Sequence, residues 1–145
     1  MVKVPVFGIG ESSMLTAAAA SRQFGVLTLG PEVVPRKWRQ IRAMSIGDRC
    51  VAVEPTGTGV LHALKQDVDI EPYLRAARLA ISKNARTLVL GCAGMVAVWE
   101  RLSDMLEVPV VEPIVATCLL AASFLAGRGS LAPLYHRRKG ASTDR

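Results

Sequence analysis

Aromatic residues and histidines are scarce in this sequence of 145 residues: aromatic side chains make up 5% of it, and histidine occurs twice. Alanine, valine and leucine are abundant instead, and half of all residues are hydrophobic. This composition suits a close-packed α/β domain better than an all-β domain, because all-β proteins favour aromatic and β-branched residues. It also excludes disorder over most of the chain, and the length suits one domain with a proper core.

Cysteine is equally scarce, and its spacing is irregular. The three cysteines, Cys50, Cys92 and Cys118, are an odd number, and the sequence has no CxxC motif and no cluster of cysteine and histidine. Neither a disulfide framework nor a structural zinc site is therefore indicated. We therefore expect no metal site.

Long apolar runs are missing as well. The most apolar stretch, Ile114–Ala126, is shorter than the roughly 20 residues that cross a bilayer. Near the N-terminus Lys3 is the only early charge, and the apolar run is broken by Gly8 and Gly10, which is not typical of a signal peptide. These observations predict a soluble cytoplasmic protein without a membrane partner.

Apolar, β-rich runs alternate with helical patterns five times along the chain. Strands are predicted at Val2–Phe7, Phe24–Leu29, Cys50–Val53, Thr87–Leu90 and Pro109–Val111. Helices are predicted at Glu11–Gln23, Pro35–Met44, Pro72–Lys83, Met95–Leu106 and Ile114–Ala126, with a weak helical piece at Val60–Lys65. This alternation predicts a single three-layer α/β/α domain with a mainly parallel sheet of about five strands.

The chain shows no linker, so one α/β domain is predicted over residues 1–127. Residues 128–145 are polar and basic, ending in "YHRRKGASTDR". Such a segment has too few apolar residues to pack, and a disordered tail is predicted there.

The turns that follow the strands carry the candidate site, because ligands of parallel sheets bind outside the carboxyl ends of the strands. Four of the five turns contain glycine, which lets a ligand approach the backbone. The five turns are Gly8–Ser12, Thr28–Gly30, Glu54–Gly59, Gly91–Gly94 and Glu112–Pro113.

Cys92 is the residue with the clearest chemical potential. It follows a buried strand and precedes a helix, between Gly91 and Gly94, where free N–H groups and the helix dipole favour a thiolate. This position fits a nucleophile or a proton-abstracting base. The alternative is a small buried hydrophobic residue, as most free cysteines are. For Cys50 and Cys118 we favour that alternative.

Four motifs together resemble a known family. The segments "VPVFGIGESSMLTA", "FGVLTL", "LVLGCAGM" and "VPVVEP" have the order and spacing of the aspartate/glutamate/hydantoin racemase superfamily, most closely its hydantoin/allantoin racemase-like branch. "LVLGCAGM" is the most specific of them. The resemblance extends from about Val4 to Gly127.

The resemblance implies two similar α/β lobes, each of which offers one cysteine, with the active site between them. One thiolate removes a proton from the carbon next to a carbonyl, and the other thiol returns a proton on the opposite face without a cofactor. Cys92 matches the cysteine of the C-terminal lobe. The residues assigned to the substrate pocket are Gly10, Glu11, Ser12, Thr28, Gly91, Ala93 and Gly94.

The sequence departs from this pattern in one respect. The family's first cysteine would lie before Val4, in a lobe that this sequence does not include. The chain therefore resembles a C-terminal lobe only, as a truncated gene product, a split-gene subunit or a remnant with another use. The last helix, "IVATCLLAASFLA", is apolar on every face, so a homo-oligomer or a complementary N-terminal lobe is the expected partner.

Three further patterns point to other ligands only weakly. "FGIGESS" resembles a dinucleotide-binding turn, but Ser13 replaces the third glycine and no acidic residue ends the second strand. "TGTG" at residues 56–59 lacks the lysine of a P-loop. The basic cluster Arg36, Lys37, Arg39 and Arg42 is interpreted as a solvated helix face, so no nucleic-acid partner is expected.

Two function hypotheses follow. The first is a cofactor-independent racemase that acts on a hydantoin or an amino acid through Cys92, with little activity as an isolated chain. The second is a non-catalytic module of the same fold that binds a small carboxylate or a partner protein.

Overall fold

The computed structural model describes residues 4–59, 63 and 67–127. Within them four strands form one parallel sheet: β1 Phe24–Thr28, β2 Cys50–Pro55, β3 Leu88–Leu90 and β4 Val110–Val111. The α-helices are α1 Ile9–Ala20, α2 Val34–Ala43, α3 Glu71–Ser82, α4 Val96–Met105 and α5 Pro113–Ala126. Short 3-10 turns precede three of these elements, at Pro31–Val33, Gly47–Arg49 and Ala93–Met95.

The strand order in the sheet is β2-β1-β3-β4. β1 is central, pairs in parallel with both β2 and β3, and is buried along its whole length. Because all four strands run the same way, their carboxyl ends meet at one edge, where ligands of such sheets bind.

Helices cover both faces of the sheet. On one face, α3 and α4 bury apolar side chains such as Leu74 and Leu102 against Leu88. On the other, Met14 of α1 and Ile41 of α2 pack on the opposite side of the strands. The predicted three-layer α/β/α architecture is therefore confirmed.

The first predicted strand is absent from the described residues. Residues 4–8 have no strand geometry, and residues 2–3 of that prediction lie outside the described part of the chain. Val6 is 76% exposed, while the ring of Phe7 packs edge-to-face on Phe124 of α5, with ring centroids 5.5 Å apart. The segment leads directly into α1, which packs against α5 and against β1, β3 and β4. The sheet thus has four strands, not about five.

Element boundaries also differ by a few residues. α1 ends at Ala20 instead of Gln23, because the backbone of Ser21 turns to an extended conformation. The weak helical piece at Val60–Lys65 falls outside the described residues except for Ala63, and the predicted tail at 128–145 falls outside them entirely. No helix in the described ranges is long and apolar enough to cross a membrane.

Candidate functional site

Cys92 lies at the carboxyl edge of the sheet, two residues after the end of β3. It is half-buried and has extended backbone geometry, and its carbonyl accepts the first turn's hydrogen bond from the Met95 N–H at 3.0 Å. The sequence predicts a helix from Met95, whereas a 3-10 turn, Ala93–Met95, first carries the chain into α4. Cys92 is therefore the residue at which strand geometry ends and helical geometry begins.

Gly91 brings this segment close to the central strand. Its N–H donates to the Leu27 carbonyl at 2.8 Å, and a Cβ at position 91 would lie 2.5 Å from the same oxygen. No side chain fits at that distance. A glycine is thus required for Cys92 to lie next to the end of β1.

A cavity of about 180 Å³ opens beside Cys92, between the carboxyl ends of β1 and β3 and the beginning of α2. Its lining residues are Thr28, Leu29, Gly30, Glu32, Val33, Arg36, Lys37, Gly91 and Cys92. Three of the residues predicted for the site are brought together here: Thr28, Gly91 and Cys92. The Thr28 hydroxyl is buried and donates to the Gly30 carbonyl at 3.5 Å.

Lys37 is a cation on the same cavity wall as Cys92. Its Nζ donates to Oε1 of Gln40 at 3.2 Å. Burial lowers the pKa of Lys37 below its ordinary value and the neighbouring Arg36 lowers it further, while the negative charge of Glu11 opposes both. Lys37 and Cys92 thus place a cation and a thiol on the wall of one cavity.

Glu11 reaches the cavity only through Gln40. The Nε2 of Gln40 donates to Oε1 of Glu11 at 2.8 Å, so the amide of Gln40 links the carboxylate of Glu11 to the ammonium of Lys37. This hydrogen bond is the main cause that holds the pKa of Glu11 below its ordinary value, ahead of the backbone N–H of Glu11. Glu11 thus contacts Gln40 but does not line the cavity itself.

The other predicted site residues lie around the cavity but do not line it. Gly10 approaches Gln40, since a Cβ there would lie 3.0 Å from Nε2 of that amide. Ser12 is buried within α1. Ala93 and Gly94 form the 3-10 turn that follows Cys92.

Among the residues of this region that prediction from sequence misses, four are polar: Glu32, Arg36, Lys37 and Gln40. Arg36, Arg39 and Arg42 are exposed, as expected for a solvated helix face, whereas Lys37 is half-buried. Arg36 and Lys37 also line the cavity. The usable signal is the chain order, because the helix that follows the Thr28–Gly30 turn must begin at the ligand edge of the sheet.

The remaining cysteines lie elsewhere. Cys50 begins β2, at the opposite edge of the sheet, and is 6% exposed. Burial raises its pKa to about 11. Cys118 is exposed on α5. Neither lines the cavity that contains Cys92.

Two buried acids at the carboxyl edge have structural partners. Glu112 caps α5, where its carboxylate accepts the N–H groups of Ile114 at 3.0 Å and Val115 at 2.6 Å. Glu54, at the end of β2, accepts a hydrogen bond from Lys83 at 2.6 Å. No group of three or more histidine, cysteine, aspartate or glutamate side chains among the described residues could hold a metal ion.

The last helix leaves a large apolar surface uncovered. Only Pro113 and Ala116 of α5 are buried, and Leu119 is 64% exposed. We call this surface, together with the adjoining side of α1, the α1–α5 face. Its exposed large apolar residues are Ile9, Leu15, Ile114, Val115, Leu119, Leu120 and Leu125.

Known proteins resemble this chain over most of its length. The Asp/Glu/Hydantoin racemase family model matches residues 1–121. A hydantoin racemase of Paenarthrobacter aurescens is 31% identical over 125 residues, which are 84% of this chain and 52% of that protein. A hydantoin racemase of Rhizobium meliloti is 31% identical over 128 residues, covering 86% of this chain and 53% of that protein.

Solved structures give the same result. The allantoin racemase of Pseudomonas fluorescens matches with a TM-score of 0.81 and 30% identity, over 87% of this chain and 55% of that one. The allantoin racemase of Klebsiella pneumoniae matches with a TM-score of 0.75 and 25% identity, over 84% and 51%. The chain spans about half the length of the curated relatives it matches. The resemblance indicated by the four motifs is confirmed.

Proposed function

This chain belongs to the Asp/Glu/hydantoin racemase family, and from that membership we propose that it takes part in a cofactor-independent racemisation with Cys92 as a proton-transfer thiol. The substrate is a carbon acid, a hydantoin or an amino acid, whose acidic C–H lies next to a carbonyl group. The observation that carries the proposal is the position of Cys92, half-buried on the wall of a cavity at the ligand edge of the sheet.

The chemistry assigned to Cys92 is a single proton transfer. Its thiolate takes the proton from the carbon, and the electron pair of the C–H bond moves onto the adjacent carbonyl oxygen as an enolate. Ala93 and Gly94 begin the turn ahead of α4, where backbone N–H groups without a helical partner can stabilise that oxygen. A proton that returns to the opposite face of the carbon inverts its configuration.

In this proposal, the group that returns the proton lies outside the described cavity. The chain matches about half of each relative's length, Cys50 lies at the far edge of the sheet, and Cys118 lies on α5. We therefore assign the second proton-transfer group to a complementary N-terminal lobe or to a second copy of this chain. In the same proposal, residues 1–127 form one racemase-like lobe, and residues 128–145 form a basic tail.

The α1–α5 face supports a partner of this kind. A helix of apolar residues that buries only two of them in its own domain leaves exposed apolar surface, of the kind that marks protein contacts. We propose that this face receives the complementary lobe or the second copy.

A cytoplasmic location belongs to the proposal as well. The mechanism requires Cys92 as a free thiol, and the cytoplasm keeps thiols reduced.

The test is exchange of the α-proton for deuterium. The chain is incubated in heavy water with a panel of hydantoins and amino acids, and loss of the α-proton signal is followed by NMR. We expect exchange above the uncatalysed rate with the wild type and with Cys118→Ser, and none with Cys92→Ser. Equal exchange in the wild type and in Cys92→Ser on every substrate would overturn the proposal.

One observation favours the second candidate, a small-carboxylate-binding module. Arg36 and Lys37 place two cations on the cavity wall, and this would serve binding without any chemistry. A carboxylate that protects Cys92 from alkylation, together with no exchange on any substrate, would select the binding module over the racemase.

A further inference from the structure

We propose that Lys37 anchors a small-anion subsite beside Cys92, which selects a ligand carrying a carboxylate. The subsite itself follows from the cavity wall, whereas the identification of its ligand as an anionic carbon acid rests on the proposed function. The sequence pattern does not predict that Lys37 binds an anion, nor that it selects the ligand.

The charges on the wall favour an anion. Two cations, Arg36 and Lys37, line the cavity against one carboxylate, that of Glu32, which lies over Gly30, so the wall carries a net positive charge. Within the described part of the chain the ion pairs join Arg78 to Glu71 and Lys83 to Glu54. Neither cation of the wall therefore has a carboxylate within ion-pair distance there.

Lys37 is held in place but incompletely satisfied. Its ammonium group has three N–H donors, and one of them is used by Oε1 of Gln40. The amide of Gln40 is itself fixed by its hydrogen bond to Glu11. A half-buried ammonium with donors to spare loses hydration without full compensation, and a bound carboxylate restores it through charge-assisted hydrogen bonds.

The size of the cavity restricts the ligand. Its volume of about 180 Å³ is smaller than the roughly 300–1,000 Å³ typical of pockets for drug-sized ligands. A small carboxylate fits this volume. Cys92 and Lys37 on the same wall then act on one small molecule.

Two alkylating reagents of nearly equal size test the subsite. Iodoacetate is an anion and iodoacetamide is neutral, so the ratio of their rates at one thiol reports the local charge. The ratio at Cys92 is measured by peptide mass spectrometry, with exposed Cys118 on α5 as the internal reference. Because the readout needs no turnover, it does not depend on racemase activity.

We expect Lys37→Met to lower the iodoacetate-to-iodoacetamide ratio at Cys92 by about three- to tenfold, as loss of one charge several ångströms away implies. Lys37→Arg should retain the ratio. Arg39→Met, which removes a cation from the same helix outside the cavity, should leave it unchanged. An unchanged ratio in Lys37→Met, with the fold verified by circular dichroism, would overturn the subsite.

A second arm tests the ligand class. Deuterium exchange is compared between 5-carboxymethylhydantoin and uncharged 5-methylhydantoin. Lys37→Met should slow exchange of the anionic substrate selectively, by about three- to tenfold, since only that substrate carries the charge Lys37 meets. Equal slowing of both substrates would overturn the selectivity, and absence of Cys92-dependent exchange would overturn the racemase proposal while the alkylation ratio still decides the subsite.

Discussion

The backbone of Gly91 rests directly on the carbonyl of Leu27, with an N–H to oxygen hydrogen bond of 2.8 Å. A Cβ at position 91 would meet that oxygen at 2.5 Å, and the neighbour is backbone, so nothing flexible can move aside. This contact joins the end of β3 to the end of β1 and fixes where Cys92 stands.

The first prediction concerns this contact. Gly91→Ala should lower the free energy of unfolding by about 1–3 kcal/mol, because the added methyl group forces β1 and β3 apart. Gly47→Ala is the matched control, since a Cβ there meets only Cγ of Arg42 at an ordinary 3.7 Å. Urea denaturation measures both variants, and equal stability of the two would contradict the assigned role of Gly91.

Glu112 should stabilise the fold as the cap of α5. Glu112→Ala removes the acceptor of two backbone N–H groups at the start of α5 and should cost about 1–3 kcal/mol in free energy of unfolding. Glu112→Gln keeps one oxygen acceptor and should cost less. A loss of exchange activity without any loss of stability in either variant would instead assign Glu112 to the chemistry.

The buried thiol of Cys50 predicts a pH dependence. Its pKa is raised from 9.0 to about 11 in the folded chain, so between these values the unfolded state releases the thiol proton first and is stabilised. The contribution of Cys50 to the free energy of unfolding should therefore be complete below about pH 9. The free energy of unfolding should fall by about 2 kcal/mol as the pH rises through 11. Lysine and tyrosine titrate in the same range, so Cys50→Ala is the reference. A wild-type loss no steeper than that of the variant, in urea denaturation under reducing conditions, would refute the assignment.

The α1–α5 face should drive association. We expect concentration-dependent self-association of the purified chain in sedimentation velocity, and we expect Leu119→Asp to shift the chain toward monomer because it places a charge in the apolar face. Leu79→Asp is the control, since Leu79 is 46% exposed on α3, away from that face. Identical sedimentation of the two variants would argue against the face as the contact surface.

The sequence predicts most of this fold because the buried strands of a parallel sheet are short continuous apolar runs. The run Phe24–Leu29 predicts a strand, and β1 occupies Phe24–Thr28 of it. The four confirmed strands all precede turns with glycine or proline. Because these turns are visible in the sequence, the ligand edge and the position of Cys92 on it are predictable from the residues alone.

The prediction of the first strand is wrong, and the local sequence alone does not show why. The tripeptide Val-Pro-Val occurs at residues 4–6 and again at 108–110, each time ahead of a helix. The second copy leads into β4, and the first lies outside the sheet with Val6 exposed. Propensity is the same in both, so packing partners decide between them.

The site residues on α2 escape prediction for a related reason. Four basic residues at positions 36, 37, 39 and 42 are typical of a solvated face, and periodicity does not tell which turn of the helix approaches a neighbouring strand. Arg36 and Lys37 line the cavity because they begin the helix. Gln40 carries no sequence signal, and only its contacts with Lys37 and Glu11 single it out.

The central claim is that Cys92 transfers a proton on one face of a carbon acid. The most direct measurement follows deuterium exchange at the α-carbon of each enantiomer of a 5-substituted hydantoin separately, with the wild-type chain and with Cys92→Ser. The account predicts that one enantiomer exchanges faster than the other with the wild type, and that both exchange at the same uncatalysed rate with Cys92→Ser. Equal rates for both enantiomers in both proteins would contradict it.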